Sequence, residues 1–192
     1  MKIYTGRGDG GMTDLGDASR VAKTSARIEA YGSVDEANAL LGTVRPTGYD
    51  DVDETLASVQ NHLHIVQADF ASPGSDGGAE DGETDGGEEG HGGGPRIREE
   101  HVDALESWID EAQEELDPLG SFVLPGGSDA GATLHHARAV VRRAERRSVG
   151  LATDEPINEE AIVYLNRLSD LLFVLARLVN RRDGEPEESP TY

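Results

Sequence analysis

The sequence predicts an all-α fold, in which a single domain forms a bundle of five helices. Its 192 residues are enough for one domain with a sizeable core. Five segments repeat apolar residues at intervals of three and four positions, the pattern of a helix that buries one face. No segment shows a convincing strand pattern, so we expect helices to pack directly on one another across residues 1–192.

Four of the helices are predicted from their apolar seams alone. They span residues 25–45, 51–71, 97–116 and 158–182. Pro46 ends the first of them, and residues 183–192 are expected to be frayed. Asp35 and Glu36 lie beside the first seam and are interpreted as solvated acids.

The remaining helix begins in the segment LPGGSDAGATLHHARAVVRRAERR, residues 124–147. A Pro-Gly-Gly turn is followed by Ser128 and Asp129, which are good N-cap residues. Five of the chain's 17 basic residues then fall within ten consecutive positions. They are Arg138, Arg142, Arg143, Arg146 and Arg147.

This arginine cluster is interpreted as a site for a polyphosphate. Arg138, Arg142 and Arg146 follow one another at intervals of four, so their side chains project from nearly the same side of the helix. Guanidinium groups suit the oxygens of phosphate and carboxylate. The alternative is a solvated charged face. We consider it weaker because like charges one turn apart repel, and Glu145 is the only paired acid that the segment offers.

Two pairs of histidines lie on the predicted helices. His62 and His64 are two positions apart, face different sides and make a poor metal pair, so they are interpreted as ordinary surface or interface residues. His135 and His136 precede the arginines. They could assist anion binding, although packing is the expected role.

The composition limits the classes of function. Formal net charge is −21, from 17 basic and 38 acidic residues, which argues against nucleic acid as a partner. So large a charge indicates a protein adapted to high salt. The absence of cysteine excludes disulfides and cysteine metal sites. With neither a secretory signal nor a membrane-length apolar run, a cytoplasmic location is expected.

Two glycine-rich stretches interrupt the helical pattern. Residues 1–24 contain TGRGDGGMT, whose backbone could cradle phosphate oxygens, although a flexible arm is the alternative and the ending of a Walker A loop is missing. Residues 73–94 hold ten glycines and seven acids, so they are predicted to be a disordered acidic insertion, inert rather than regulatory. Removing those seven acids from the charge of −21 still leaves −14, so the insertion does not explain the acidity.

Three segments, taken together and in order, resemble a known family. They are YTGRGDGGMT with RVAK and RIEAYGSVDEANALLG, then FVLPGGSDAGATLHHARAVVRRAERR, then YLNRLSDLLFVLAR. The combination covers most of the chain outside the acidic insertion and is similar to the PduO-type ATP:cob(I)alamin adenosyltransferases, also called corrinoid adenosyltransferases.

The resemblance implies a homotrimer of five-helix bundles with active sites between subunits. Asp35 and Arg138 would pair across that boundary, and Phe122 would lie against the lower axial face of the corrinoid. The resemblance also implies which residues hold ATP. They are Thr5, Gly6, Arg7, Gly8, Thr13, Asp14 and Lys23 in the N-terminal loop, and Arg142, Arg143, Ala144, Glu145, Arg146 and Asn166 in the helices.

The reaction that the resemblance implies is attack of Co(I) on C5′ of ATP with release of triphosphate. Arg142, Arg146 and Phe122 would be the catalytic residues, Mg²⁺ would assist without assigned protein ligands, and a reductase would supply electrons. Because Co(I) is itself the nucleophile, no protein nucleophile is needed. The alternatives are a nucleotide-binding sensor that has lost the chemistry, and a helical oligomer whose arginines only neutralise acids.

Overall fold

The computed structural model describes residues 2–73 and 95–192, so the predicted insertion lies outside the described residues except for Pro73. The described residues form five helices and one short hairpin. The helices are α1 (Ala26–Val44), α2 (Asp50–Phe70), α3 (Glu99–Gln113), α4 (Asp129–Ala152) and α5 (Glu159–Asp183). The predicted five-helix bundle is therefore confirmed.

The expectation that the chain contains no strand is wrong near the N-terminus. Strands β1 (Met12–Asp14) and β2 (Arg20–Ala22) pair antiparallel, with Met12 opposite Ala22. Each strand has three residues, too few for an alternating pattern to emerge from the sequence. The hairpin is held on the bundle by the buried Leu15 and by the amide of Gly16, which donates to the carbonyl of Ala71 at 2.7 Å.

Helix α5 is the central element of the core. It packs against α3 and α4, and α1 packs against α4 and α2. Every residue from Val174 to Asn180 is buried, as expected for a helix end enclosed on all sides. None of the helices in residues 2–73 and 95–192 has the length and apolar character needed to cross a membrane.

Helix α3 begins two residues later than the predicted position 97. The backbone of Ile97 is used in contacts with other elements: its amide donates to Asp69 Oδ2 at 3.2 Å, and its carbonyl accepts from Asn158 Nδ2 at 2.8 Å. Asp69 also accepts from the same Asn158 amide at 2.6 Å. These bonds join the end of α2, the start of α3 and the start of α5.

Candidate active site

The arginine helix begins where its sequence predicts. Ser128 is the N-cap of α4, and its hydroxyl accepts the amide of Gly131 at 3.2 Å. Leu134, Ala137, Val141 and Ala144 are fully buried, which leaves the opposite side of the helix to the arginines. Ala144 itself faces the core, so its side chain is not available to a ligand.

Two of the five arginines are paired with acids of α1. Arg143 donates to Glu36, and Arg147 forms an ion pair with Glu29 at 2.8 Å and donates to Ser33 Oγ at 2.6 Å. The expectation that the arginines have no paired acid except Glu145 was therefore wrong. Glu36 is exposed, as expected of a solvated acid, but it is also the partner of Arg143. The partners were missed because α1 is remote in sequence and becomes a neighbour only when the bundle forms.

Arg142 and Arg146 are different, since both are exposed and neither forms an ion pair within residues 2–73 and 95–192. Arg146 donates to the carbonyl of Arg142 at 2.9 Å, along its own helix. Beside them Glu145 accepts from Asn166 Nδ2 at 2.9 Å, which joins α4 to α5. The structure thus brings together four of the predicted residues on one surface, where two positive charges have no acidic partner.

Arg138 and Asp35 do not meet within one chain. The Arg138 guanidinium lies 5.9 Å from the centroid of the Phe173 ring, and its Nε is buried without a hydrogen-bond partner among the described residues. Asp35 is exposed and forms no hydrogen bond or ion pair with any of the described residues. The pair across a subunit boundary stays a prediction.

The predicted N-terminal ATP loop is built on the hairpin. Arg7 forms an ion pair with Asp14 at 3.1 Å, and Arg20 forms another with the same carboxylate at 3.4 Å. The Lys23 ammonium lies against Gly8, where an added Cβ would be 3.1 Å from Nζ. Thr5 is exposed, Thr13 lies in β1, and Gly6 adopts a φ of +71° that favours glycine. Arg7 and Lys23 therefore place two positive charges beside this glycine-rich turn.

Within one chain, the N-terminal loop and the arginines of α4 are two separate halves of the candidate active site. No hydrogen bond or ion pair joins the hairpin to α4 in residues 2–73 and 95–192. Within one chain the hairpin is docked instead on the end of α2, through Gly16 and Ala71.

Phe122 lies in the loop between α3 and α4 and is 78% exposed. The loop is held by the C-terminal tail: the amide of Leu124 donates to the carbonyl of Glu188 at 2.8 Å, and the hydroxyls of Ser121 and Ser189 are 2.7 Å apart. The prediction of a frayed tail was therefore wrong. A groove of about 260 Å³ separates this loop from the tail.

The histidines differ in burial, and the packing role expected for His136 is wrong because its side chain is exposed. His135 is 3% exposed and its ring lies 6.0 Å from that of Phe173, which confirms the packing role, and burial lowers its pKa. His62 is half-buried rather than on the surface, with its ring 4.8 Å from His101 and 5.7 Å from Tyr164. His64 is exposed. In the described residues no three side chains of His, Cys, Asp or Glu are placed to hold a metal ion.

The profile of the family described as cobalamin adenosyltransferase matches residues 3–179. A corrinoid adenosyltransferase of Mycobacterium tuberculosis is 44% identical over 190 residues, which cover 96% of this chain and 91% of the relative. A corrinoid adenosyltransferase of Bacillus subtilis is 38% identical over 189 residues, with 96% and 89% covered.

This chain is also similar to solved structures of adenosyltransferases. A variant PduO-type ATP:corrinoid adenosyltransferase from Lactobacillus reuteri, complexed with cobalamin and ATP, has a TM-score of 0.83 and 30% identity over 100% of both chains. A second variant from the same organism, complexed with ATP, has a TM-score of 0.84 and 30% identity, covering 98% of this chain and 100% of the other. The chain therefore belongs to the cobalamin adenosyltransferase family.

Proposed function

We propose that this protein is an ATP:corrinoid adenosyltransferase, which transfers the 5′-deoxyadenosyl group of ATP to the Co(I) centre of a reduced corrinoid. The products are adenosylcobalamin and triphosphate. Membership of the family carries this proposal, and the two arginines without acidic partners support it, because a polyphosphate leaving group needs such charges.

The bond changes require little covalent chemistry from the protein. The electron pair of Co(I) forms the bond to C5′ while the bond between C5′ and the phosphate oxygen breaks, and triphosphate leaves with the electron pair of that broken C–O bond. Charge therefore grows on the leaving group. Arg142 and Arg146, with Arg7 and Lys23 of the loop, would stabilise it through preorganised donors. Asn166 would orient Glu145 beside them.

The separation of the two halves in one chain favours a site shared between copies. In a homotrimer, the hairpin of one subunit would close over α4 of the next. The same boundary would bring Asp35 to Arg138, whose buried Nε has no partner among the described residues. Arg143 would act in this site mainly by holding α1 against α4, since Glu36 already occupies its guanidinium.

Phe122 would lie against the lower face of the corrinoid. Its ring is exposed and therefore available to a ligand, and an apolar group there would keep water and other axial donors away from cobalt. Loss of axial donors favours reduction to Co(I). A reductase would supply the electrons, and a cytoplasmic location is part of the same proposal.

Mg²⁺ is expected to bind with the triphosphate. The described residues offer no cluster of three metal-ligating side chains, so they do not form a dedicated protein cage. Mg²⁺ commonly keeps several waters and takes its other ligands from phosphates. We assign it no protein ligand.

The direct test is incubation of the protein with MgATP and chemically reduced cob(I)alamin. We expect adenosylcobalamin, followed by its Co–C absorbance, and triphosphate in equal amounts. Binding of ATP without product would indicate a sensor that has lost the chemistry. Failure to bind ATP even at high salt would favour a helical oligomer without this activity.

A further inference from the structure

Asn180 of α5 lies inside the turn that precedes α4. Its side chain is 6% exposed, its Nδ2 donates to the carbonyl of Gly126 at 2.9 Å, and its Oδ1 accepts the amide of Ser128 at 3.0 Å. The hydroxyl of Ser128 lies 3.3 Å from the same Oδ1. Because one neighbour is a backbone acceptor and the other a backbone donor, this network fixes the orientation of the Asn180 amide.

Two glycines make room for this side chain. A Cβ added at Gly127 would lie 2.2 Å from Asn180 Oδ1, and one added at Gly131 would lie 1.9 Å from it. Gly127 also has a φ of +103°, which side chains rarely adopt. Gly127 and Gly131 of the PGGSDAG segment therefore leave the space that Asn180 occupies, although this asparagine lies 52 residues after Ser128.

Asn180 is bonded to the end of the loop that carries Phe122 and to the tail that holds this loop. Its side chain holds the turn at Gly126, where the loop ends. Its backbone carbonyl accepts the amide of Glu185 at 2.9 Å, at the start of the tail whose Glu188 carbonyl binds Leu124. The arginines depend on it less, because α4 is also held by its packing on α1 and α5.

We infer that Asn180 is a positioning residue for the corrinoid half of the site, which it serves by fixing the loop that presents Phe122. This inference rests on the proposed function. It requires that a change at Asn180 weakens productive binding of the corrinoid while ATP binding, which involves the hairpin and the middle of α4, is preserved.

The first comparison is Asn180→Ala against the unaltered enzyme. We expect corrinoid affinity and turnover to fall roughly 10- to 100-fold, because small misplacements of a positioning group have effects of that size. The dissociation constant for MgATP should stay within about twofold. Asn180→Asp, which keeps the acceptor for Ser128 and loses the donor to Gly126, provides the same comparison if the alanine variant does not fold.

The matched control is Asn38→Ala. Asn38 is also 6% exposed, and its Nδ2 donates to the carbonyl of Gln60 at 3.2 Å, between α1 and α2. Its loss removes a similar buried bond away from the Phe122 loop. We expect a lower melting temperature with unchanged corrinoid affinity.

A double variant separates positioning from stability. In Asn180→Ala with Gly131→Ala, the new methyl group occupies space that the amide has left, and alanine favours the helix. The melting temperature should recover relative to Asn180→Ala while corrinoid affinity stays weak. Recovery of both together, or normal corrinoid affinity in Asn180→Ala, would overturn the inference.

Both affinities are measured by titration with cob(II)alamin and with MgATP, so they do not depend on turnover. If the unaltered protein forms no adenosylcobalamin, the proposed function fails, but selective loss of corrinoid affinity in the variant would still support the role of Asn180. If the unaltered protein is active and the variant binds corrinoid equally well, the role of Asn180 fails and the proposed function stands.

Discussion

The arginines of α4 carry the same charge, but their surroundings divide them into two groups. Arg143 and Arg147 are bound to acids of α1, so their charges are largely neutralised and they help hold two helices together. Arg142 and Arg146 have no acidic partner within residues 2–73 and 95–192. In a molecule with net charge −21, that arrangement leaves two cations available to an anionic ligand, as the proposed function requires.

Substitution of one arginine from each group should separate catalysis from stability. Arg142→Ala is expected to lower turnover by roughly 100-fold, about 3 kcal/mol of transition-state stabilisation, with little change in melting temperature. Arg147→Ala should retain turnover and lose about 0.5 to 1 kcal/mol of stability, since its ion pair is partly exposed. Steady-state kinetics and thermal unfolding of both variants provide the check. Equal turnover in the two variants would contradict this division.

Acid should destabilise the fold through His135. Burial, with Arg138 nearby, lowers the pKa of its imidazole below the ordinary value of 6.5. The unfolded chain therefore binds the proton more readily, so stability is complete above pH 6.5 and declines as the pH falls below it. Thermal unfolding between about pH 8 and about pH 5.5 would show the decline.

His135→Leu should make that decline shallower without removing it, because burial also lowers the pKa of His62. His136, the exposed neighbour, is the control, and His136→Leu should leave the pH profile unchanged. An identical slope in all three proteins would show that His135 does not contribute.

At the scale of elements, the apolar spacing predicted the helices because each seam is long enough to repeat several times. The same spacing predicted the ends of the helices less accurately. Ile97 was assigned to α3, but it precedes the helix because its backbone is hydrogen-bonded to Asp69 and Asn158. The hairpin was missed because its strands are short. Contacts such as Asn180 with Gly131, or Arg143 with Glu36, join distant positions and leave no local pattern in one sequence.

The docking of the hairpin gives a prediction at this scale. A Cβ at Gly16 would lie 3.0 Å from Ser72 Oγ and 3.1 Å from the carbonyl of Ala71, so Gly16→Ala should displace the hairpin by a few tenths of an ångström relative to the end of α2. We expect ATP affinity to fall by roughly fivefold, or about 1 kcal/mol, measured by calorimetric titration. In Gly42→Ala, the added methyl group makes only an ordinary contact, at 3.5 Å from Gln60, and ATP affinity should be unchanged. A normal affinity for Gly16→Ala would show that the hairpin position does not matter.

Over the whole molecule, the net charge of −21 predicts that salt stabilises the fold. Screening reduces repulsion among the acids, although it also weakens surface ion pairs, each worth less than about 1 kcal/mol. Between about 0.1 M and about 2 M KCl, a net gain of about 1 to 2 kcal/mol would raise the melting temperature by roughly 2 to 8 °C. An uncharged solute at equal osmolality should have a smaller effect. A melting temperature that falls with salt would show that ion pairs outweigh the repulsion.

The central claim is that the active site joins the hairpin of one subunit to α4 of another. Co-expression of Lys23→Ala chains with Arg142→Ala chains tests it most directly, because each variant lacks a different half. If the site is shared, random mixing leaves about one quarter of the sites with both halves intact, and about that share of activity should return. If each chain carries a complete site of its own, every site in the mixture keeps one defect, and activity would stay at the level of the separate variants.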